Sequence, residues 1–369
     1  MTMKPFLGEV PPALPLDVAA PWNSARQMLV CLSVTDEAPD VKTFSFGVEG
    51  GGWFKYMPGQ FITVELRAKG GDLHRTYTIS STPSRPYALS ITVKAQPGSI
   101  GTRWMFQNVV PGTRLRAYGP NGHFTLARNP ANRYLFISAG SGITPMMSML
   151  RWLSDTAPGT DVVFLNSARR PEEIIFREEL ELLAKRMPNL SLGFLPEGRS
   201  VASPWAGLMG RIDRHKLAML VPDFMGREIF CCGPEPFMKA VSSIVRHEGF
   251  DMGHYHQESF GATSITASVQ RQATQKKSGA ETDGISVTFL GSGESAASAP
   301  GQTILETARA AGVRIPAACE SGICGTCKVL KREGEVEMNH NGGISEQEIA
   351  AGFVLACCSR PLTSVEVEA

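Results

Sequence analysis

Four cysteines near the C-terminus constrain this chain more than any other feature. Cys319, Cys324 and Cys327 lie in the stretch Ala-Ala-Cys-Glu-Ser-Gly-Ile-Cys-Gly-Thr-Cys, and Cys357 follows thirty residues after the third. The C-x4-C-x2-C…C spacing is that of a plant-type [2Fe–2S] cluster held by four thiolates. The small residues between the cysteines let backbone N–H groups turn toward a negatively charged cluster. The sequence therefore predicts a domain folded around this loop.

A zinc site and a disulfide pair are the two alternatives for these cysteines. Zinc sites favour two C-x2–4-C pairs, and only one such pair is present here. The chain has eight cysteines but no basic-then-apolar signal pattern at its start. This usage favours metal or redox chemistry in a reducing compartment over a disulfide scaffold, so we expect a cytoplasmic protein.

The length and the net charge of the chain limit the number of domains and the kinds of partner that it can bind. The 369 residues are enough for two or three domains. The 36 basic and 35 acidic residues nearly cancel, which argues against nucleic-acid and membrane-surface partners. No apolar run approaches the length of a membrane span.

The pattern of apolar runs, turns and polar segments along the chain predicts three domains. After an N-terminal extension (1–25), residues 26–128 contain short alternating strands such as 61–66, 77–80 and 89–94, broken by Pro-Gly turns, with one helix at 100–109. This pattern predicts a small antiparallel β-barrel.

Residues 129–261 change to apolar strands (134–138, 162–165, 190–195, 228–232) that alternate with helices (145–155, 172–187, 213–220, 235–248). Such alternation predicts a parallel sheet with helices on both faces. Residues 262–284 are small and polar, which is typical of a flexible linker. Residues 285–369 then hold a strand (285–290), a helix (303–311), the cysteine loop and closing strands.

Two motifs of the first domain suggest an aromatic, phosphate-bearing ligand. In Arg75-Thr-Tyr77-Thr78 the Arg and the Tyr point to one face of a strand, where a guanidinium can pair with phosphate and a phenol ring can lie against a flat cofactor. Gly98-Ser-Ile-Gly101-Thr102 opens the helix, whose free N–H groups favour an anion such as a pyrophosphate. A half-buried Arg and Tyr, and a simple helix cap, are the structural alternatives.

Two strand-to-helix turns of the second domain suggest a dinucleotide. Gly140-Ser-Gly142-Ile-Thr144-Pro145 follows a strand, and its glycines allow close backbone approach although it departs from G-x-G-x-x-G. Cys232-Gly233-Pro234 follows another strand, so Cys232 is predicted at the sheet edge where a nicotinamide ring would arrive. A structural glycine turn and a buried small cysteine are the alternatives.

The order of these motifs resembles the ferredoxin–NADP reductase superfamily, and more closely its members with a C-terminal plant-type ferredoxin domain that serve as reductase components of Rieske-type oxygenases, such as glycine betaine monooxygenase. Further strings carry the likeness: Pro58-Gly-Gln-Phe61, Ile229-Phe-Cys-Cys-Gly-Pro234 and Glu258-Ser-Phe-Gly261. The resemblance covers about 26–369 and implies an FAD-binding β-barrel, an NAD(P)H-binding α/β domain and a β-grasp ferredoxin domain.

The resemblance also implies roles for single residues. Arg75 would bind the flavin phosphate, Tyr77 would stack near the isoalloxazine and Thr78 would approach its N5. The remaining flavin contacts would be Ser80, Val93, Gly101, Thr102 (where the family usually has Ser) and Phe260. The nicotinamide dinucleotide would contact Gly140, Gly142, Thr144, Pro145, Arg169, Cys232, Gly233 and Pro234. The catalytic set would be Tyr77, Thr78 and Cys232, and the cluster ligands Cys319, Cys324, Cys327 and Cys357. Glu258 is expected to be a surface carboxylate, with proton handling as the alternative.

The predicted sites for a dinucleotide, a flavin and a [2Fe–2S] cluster together predict a reductase. A hydride carries two electrons and a [2Fe–2S] cluster takes one, so a flavin is needed to split the pair. The expected route is NADH to FAD to the cluster and then to a Rieske-type oxygenase, acting for example on a quaternary ammonium compound such as glycine betaine. FMN in place of FAD remains open, as does NADPH in place of NADH because of Arg169 and Arg170. A donor to a hybrid-cluster protein or diiron hydroxylase, and a redox-sensing regulator, are the alternative functions.

Overall fold

The computed structural model describes residues 27–68, 71–260, 284–317, 320, 322, 325–340, 343–344 and 346–369. The predicted extension (1–25), the predicted linker (262–284) apart from its last residue, and two predicted cluster ligands, Cys319 and Cys324, lie outside these ranges.

The first described unit is an antiparallel barrel of six strands in the order β4-β3-β6-β1-β2-β5. The strands are β1 (Gln27–Ala38), β2 (Val41–Val48), β3 (Phe61–Ala68), β4 (Gly71–Thr78), β5 (Leu89–Lys94) and β6 (Arg114–Asn121), and helix α1 (Ile100–Asn108) follows β5. Alternate residues of β3, namely Ile62, Val64 and Leu66, are fully buried in its core. The predicted barrel is confirmed.

The predicted strand at 77–80 begins earlier and ends at Thr78, and the reason is geometric. After Thr78 the chain leaves β3 and crosses to β5: Ile79 forms a bridge with Ile91, and the Ser80 N–H donates to the Ser90 carbonyl at 2.8 Å. This crossing joins the two edge strands of the barrel sheet.

The second unit is a parallel sheet in the order β11-β10-β7-β8-β9. Its strands are β7 (Arg133–Ala139), β8 (Asp161–Ala168), β9 (Leu190–Pro196), β10 (Glu228–Cys232) and β11 (Tyr255–Glu258), and its helices are α2 (Ile143–Thr156), α3 (Arg177–Arg186), α4 (Arg214–Leu220) and α5 (Glu235–His247). Phe136, Phe164 and Phe230 pack on the face that α2 and α3 cover. Leu135, Val163 and Ile229 pack on the opposite face with α4 and α5. The predicted helices on both faces are confirmed.

The helix expected at 172–187 is shorter. A 3-10 turn occupies Pro171–Glu173, and α3 starts only at Arg177. Phe176 has a left-handed backbone (φ 58°), which interrupts any continuous helix. The buried Ile174, Ile175 and Phe176 pack into the core instead, so tertiary burial outweighs local helix propensity here.

The third unit is a mixed sheet in the order β13-β12-β18-β14-β16 with a two-stranded ribbon, β15-β17. Its elements are β12 (Ser286–Phe289), β13 (Glu294–Ala297), α6 (Ile304–Ala310), β14 (Lys328–Glu333), β15 (Val336–Met338), α7 (Glu346–Ala350), β16 (Phe353–Leu355), β17 (Ser359–Pro361) and β18 (Val365–Glu368). Helix α6 packs its buried Ile304, Leu305 and Ala308 against this sheet. The mixed sheet with a packed helix matches the predicted α+β class.

Helix α2 joins the α/β unit to the barrel. Arg151 donates through Nη1 to the Ser80 carbonyl at 2.5 Å and holds Glu179 through Nε at 2.7 Å. The Ser148 hydroxyl donates to the Ser81 carbonyl at 2.7 Å. These bonds place the glycine turn at the start of α2 close to the end of β4. None of the helices in the described ranges is long and apolar enough to cross a membrane.

Candidate cofactor and electron-transfer site

Arg75 lies directly against the start of α1. A β-carbon built on Gly101 would lie 3.0 Å from Cγ and 3.2 Å from Nε of Arg75. The Arg75 guanidinium is exposed and bonds through Nη1 to the His74 carbonyl at 2.8 Å. An exposed guanidinium and the N–H groups of a helix start therefore meet at one point, which is the arrangement that binds a phosphate or pyrophosphate.

The hydroxyl of Thr102 is already used within the turn that starts α1. It accepts from the Gln96 N–H at 3.2 Å, while the Thr102 N–H donates to the Ser99 hydroxyl at 3.4 Å. A serine hydroxyl at position 102 would accept the same bond from Gln96.

Tyr77 and Thr78 lie at the end of β4, beside Arg75. The Tyr77 hydroxyl is buried and has no hydrogen-bond partner among the described residues. Burial raises the pKa of Tyr77, and the charge of Arg75 lowers it in part. Thr78 is 6% exposed. An unpartnered buried hydroxyl costs about 1–3 kcal/mol, so its presence fits a site whose ligand supplies an acceptor or donor.

Ser80 and Val93 lie inside the barrel. The Ser80 hydroxyl bonds to the Thr92 hydroxyl at 2.8 Å and to the Ser90 carbonyl at 3.2 Å, and the Val93 side chain is part of the apolar core. Their side chains are used within the protein, so any contact with a flavin falls to the backbone. Their role stays a prediction.

The glycine turn after β7 packs against the turn after β10. A β-carbon on Gly142 would lie 2.3 Å from the Cys232 carbonyl oxygen and 2.6 Å from the Gly233 nitrogen. Gly140 has a left-handed φ of 54°. Only glycine permits this close approach, which brings the two predicted dinucleotide-binding turns together at the C-terminal edge of the sheet.

The other predicted dinucleotide contacts surround these two turns. Thr144 and Pro145 are buried in the first turn of α2, where the Thr144 hydroxyl donates to the Ser141 carbonyl at 3.0 Å. Pro234 caps α5 and is exposed. Arg169 is exposed at the end of β8, and its carbonyl accepts from the Gly198 N–H at 2.8 Å. The Arg169 side chain is therefore open to solvent at the same sheet edge.

Cys232 and Glu258 lie side by side at this edge. They are register partners at the ends of β10 and β11, and Cys232 is 0% exposed. Burial raises the pKa of Cys232 well above its usual value, and the charge of Glu258 raises it further. A thiol with this pKa stays protonated near neutral pH, so its role is positional.

The expectation that Glu258 is a surface carboxylate is wrong. Its Oε2 atom is buried and has no hydrogen-bond partner among the described residues, and burial raises its pKa to about 8. Sequence reasoning missed this because one short strand gives no burial pattern. The signal available was position: Glu258 ends the last predicted strand before the linker, at the same edge as Cys232.

Phe260 follows Glu258 by two residues and is 46% exposed. An aromatic ring left in solvent beside a sheet edge is free to cover a ligand. The contact between Phe260 and the flavin remains a prediction.

Two of the four predicted cluster ligands, Cys327 and Cys357, meet in the third unit. The pKa of Cys357 is lowered far below its usual value, first by a hydrogen bond with the Cys327 side chain and then by one with Cys358. Thiols this close, one of them readily ionised, have the chemistry that an iron site needs. The other two predicted ligands, Cys319 and Cys324, fall outside the described ranges.

Comparison with protein families divides the chain in the same order. Residues 29–126 match an oxidoreductase FAD-binding domain, residues 136–243 an oxidoreductase NAD-binding domain, and residues 287–362 a 2Fe-2S iron-sulfur cluster binding domain.

Two curated relatives match nearly end to end. The chain is 49% identical to the stachydrine N-demethylase reductase subunit Stc4 of Rhizobium meliloti, over 94% of this chain and 98% of the relative. It is 43% identical to the glycine betaine monooxygenase reductase subunit of Pseudomonas aeruginosa, over 94% and 96%.

Solved structures share the fold. Phthalate dioxygenase reductase superposes with a TM-score of 0.56 at 24% identity, over 93% of this chain and 98% of that one. An intact type IV self-sufficient cytochrome P450 monooxygenase gives a TM-score of 0.66 at 24% identity, over 93% of this chain and 41% of the other. At this identity the likeness concerns the fold alone.

Proposed function

Since the chain belongs to the family of oxidoreductases that join FAD-binding, NAD-binding and [2Fe–2S] domains as oxygenase reductase subunits, we propose that it transfers electrons from NADH to a partner Rieske-type oxygenase. The observation that carries this proposal is the end-to-end match, at 49% and 43% identity, with two reductase subunits. The predicted cytoplasmic location is part of the same proposal.

The substrate of the partner is proposed from the chemistry that the relatives share. One relative is named for stachydrine N-demethylation and the other for glycine betaine monooxygenation. Both compounds are N-methylated quaternary ammonium ions. The partner oxygenase is therefore proposed to oxidise an N-methyl group of such a compound, while this chain never contacts the substrate.

The residues fit the flavin and the dinucleotide at two adjoining places. Arg75 and the N–H groups at the start of α1 would hold the pyrophosphate of FAD, and Tyr77 offers a flat ring with an unpartnered hydroxyl. The Gly140–Gly142 turn gives a dinucleotide close access to the backbone. A bound flavin would supply the means to take two electrons together and release them singly.

Cys232 and Glu258 have different roles: Cys232 forms part of the binding surface, and Glu258 carries a proton. Cys232 shapes the sheet edge as a neutral thiol. Glu258, with a pKa of about 8, holds a proton on its carboxyl group at neutral pH and can donate it in a hydrogen bond. Cys327 and Cys357, with Cys319 and Cys324, would hold the cluster, which supplies one-electron transfer to the partner.

Reconstitution tests this function. The purified chain, a candidate oxygenase and NADH are combined with a panel of N-methylated quaternary ammonium compounds, with tertiary and primary amines as controls. We expect substrate-dependent NADH consumption coupled to loss of one methyl group as formaldehyde. If NADH reduces the oxygenase through this chain but no quaternary ammonium compound of the panel is demethylated, the proposed substrate class is contradicted. Absence of NADH-dependent reduction of any acceptor would contradict the reductase itself.

A further inference from the structure

The outer face of β3 is buried although it points away from the barrel core. Ile62, Val64 and Leu66 fill the core, so the alternate residues Thr63 and Glu65 face outward. Yet Thr63 is 0% exposed and Glu65 is 5% exposed. The outer face of a small barrel is normally open to water, so these values indicate that another part of the molecule covers it.

Two described residues of the cysteine loop, Gly325 and Thr326, lie over Thr63 and its surroundings. The hydroxyls of Thr63 and Thr326 lie 3.0 Å apart, and these residues are 263 positions apart in the chain. Thr326 lies between Gly325 and the cluster ligand Cys327. A β-carbon on Gly325 would lie 3.8 Å from Cγ of Asn121, the last residue of β6. Gly325 and Thr326 therefore lie across β3 and the end of β6.

A buried polar group holds the surface beneath the loop in place. Glu65 accepts from Arg116 Nη1 at 3.2 Å and from the Tyr118 hydroxyl at 3.3 Å. His74 Nε2 lies 3.8 Å from Glu65 Oε2. Because these four residues come from β3, β4 and β6, their contacts link the three strands and give Thr63 a fixed position.

The margin of this contact is polar. A cleft of about 100 Å³ lies between the two units, with Gln60, Asn121, His123 and Arg128 on the barrel side and Gly343, Ile344 and Glu348 on the other. Burial lowers the pKa of His123, the charge of Arg128 lowers it further, and the charge of Glu348 raises it. Glu348 thus faces two basic residues of the barrel. A polar margin of this kind is typical of transient interfaces between domains.

We propose that the face formed by Thr63, Asn121 and the Glu65 group is a reversible docking surface for the cysteine loop, and that Thr63 is the positioning residue that sets where the loop rests. The inference rests on the proposed function, because docking matters only if electrons pass from the barrel to the cluster. The same side of the loop is covered when docked, so a partner oxygenase that uses this side can reach it only after the loop leaves the barrel.

Hydrogen exchange on the full-length holoprotein tests this docking. Thr63→Val keeps the shape of the side chain but removes the hydroxyl, so the half-buried Thr326 hydroxyl loses this partner. We expect exchange in the peptide spanning 325–330 to accelerate about five- to tenfold, since one such hydrogen bond contributes about 1 kcal/mol. Thr63→Ser, which retains the hydroxyl, should match the wild type.

Two further variants separate docking from general destabilisation. Thr43→Val removes a buried hydroxyl pair of the same kind, Thr43–Thr92 at 2.8 Å, and should leave the 325–330 peptide unchanged. Thr63→Val/Thr326→Val removes both partners, so its effect should be smaller than the sum of the two single effects. Additive effects, or a Thr63→Val variant that matches Thr63→Ser, would overturn the proposal.

Electron transfer gives an independent readout. In Thr63→Val the ratio of NADH-dependent cytochrome c reduction, which uses the cluster, to ferricyanide reduction, which uses the flavin, should fall several-fold at unchanged flavin and iron content. An unchanged ratio would count against the role of Thr63. If the wild type reduced neither acceptor, the proposed function would fail instead, and the exchange experiment would still decide whether the loop docks.

Discussion

Cys232 and Glu258 are register partners at the last residues of two adjacent parallel strands, and the carboxylate of Glu258 raises the pKa of the Cys232 thiol after burial has already done so. The pair lies beside the glycine turn, whose Gly142 approaches the Cys232 carbonyl more closely than any side chain would allow. A neutral thiol and a protonated carboxyl group therefore share the edge of the sheet near neutral pH.

Glu258 should make the stability of the flavin-free protein depend on pH. Its pKa is raised to about 8 by burial, so between about pH 4.5 and pH 8 the folded chain binds more protons than the unfolded chain. Stability should therefore fall as pH rises through this window. In Glu258→Gln the fall should be smaller by about 2–4 kcal/mol. Urea midpoints at pH 5 and pH 9 measure the difference, and parallel pH profiles for the two proteins would contradict it.

Gly142→Ala should disrupt the contact between the two turns. The added methyl would lie 2.3 Å from the Cys232 carbonyl oxygen, and neither backbone segment is a flexible side chain that can move aside. We expect a loss of about 1–3 kcal/mol, seen as a lower Tm, together with a higher KM for NADH. Gly159→Ala is the matched control, because a β-carbon there has nothing within 4 Å. Equal Tm values for the two variants would show that the turns do not pack as described.

Arg75→Ala should weaken flavin binding. Charge-assisted hydrogen bonds to a phosphate contribute about 1.5–3 kcal/mol, which corresponds to a Kd about 10- to 100-fold higher. Equilibrium dialysis with free FAD measures this change. Arg67→Ala on the neighbouring strand β3 removes an exposed arginine of the same barrel and should retain the flavin. Full retention by Arg75→Ala would overturn the phosphate role.

Cys357→Ser should remove the cluster and leave the flavin. We expect loss of acid-labile sulfide and of cytochrome c reduction, with ferricyanide reduction preserved. The adjacent Cys358 provides the control: its thiol donates to the Leu355 carbonyl at 3.7 Å, and Cys358→Ser should keep the cluster. If Cys358→Ser lost the iron and Cys357→Ser kept it, the ligand assignment would be wrong.

Much of the fold follows from local patterns. The barrel strand at 89–94 and the sheet strand at 228–232 match the structure residue for residue, because alternating or continuous apolar runs between turns specify strands directly. The prediction of a helix at 172–187 is wrong over its first five residues, because Ile174, Ile175 and Phe176 pack into the core. That packing is not visible in a local pattern.

The sequence by itself determined the cofactor types and their order along the chain, since cysteine spacing and glycine turns act through the few residues around them. Only the tertiary structure decided which of these residues meet. It placed Arg75 against Gly101, brought Glu258, with its buried Oε2 atom, beside Cys232 and placed the Thr326 hydroxyl 3.0 Å from that of Thr63. These contacts join residues distant in the chain, so they depend on strand order and domain packing, which no local periodicity encodes.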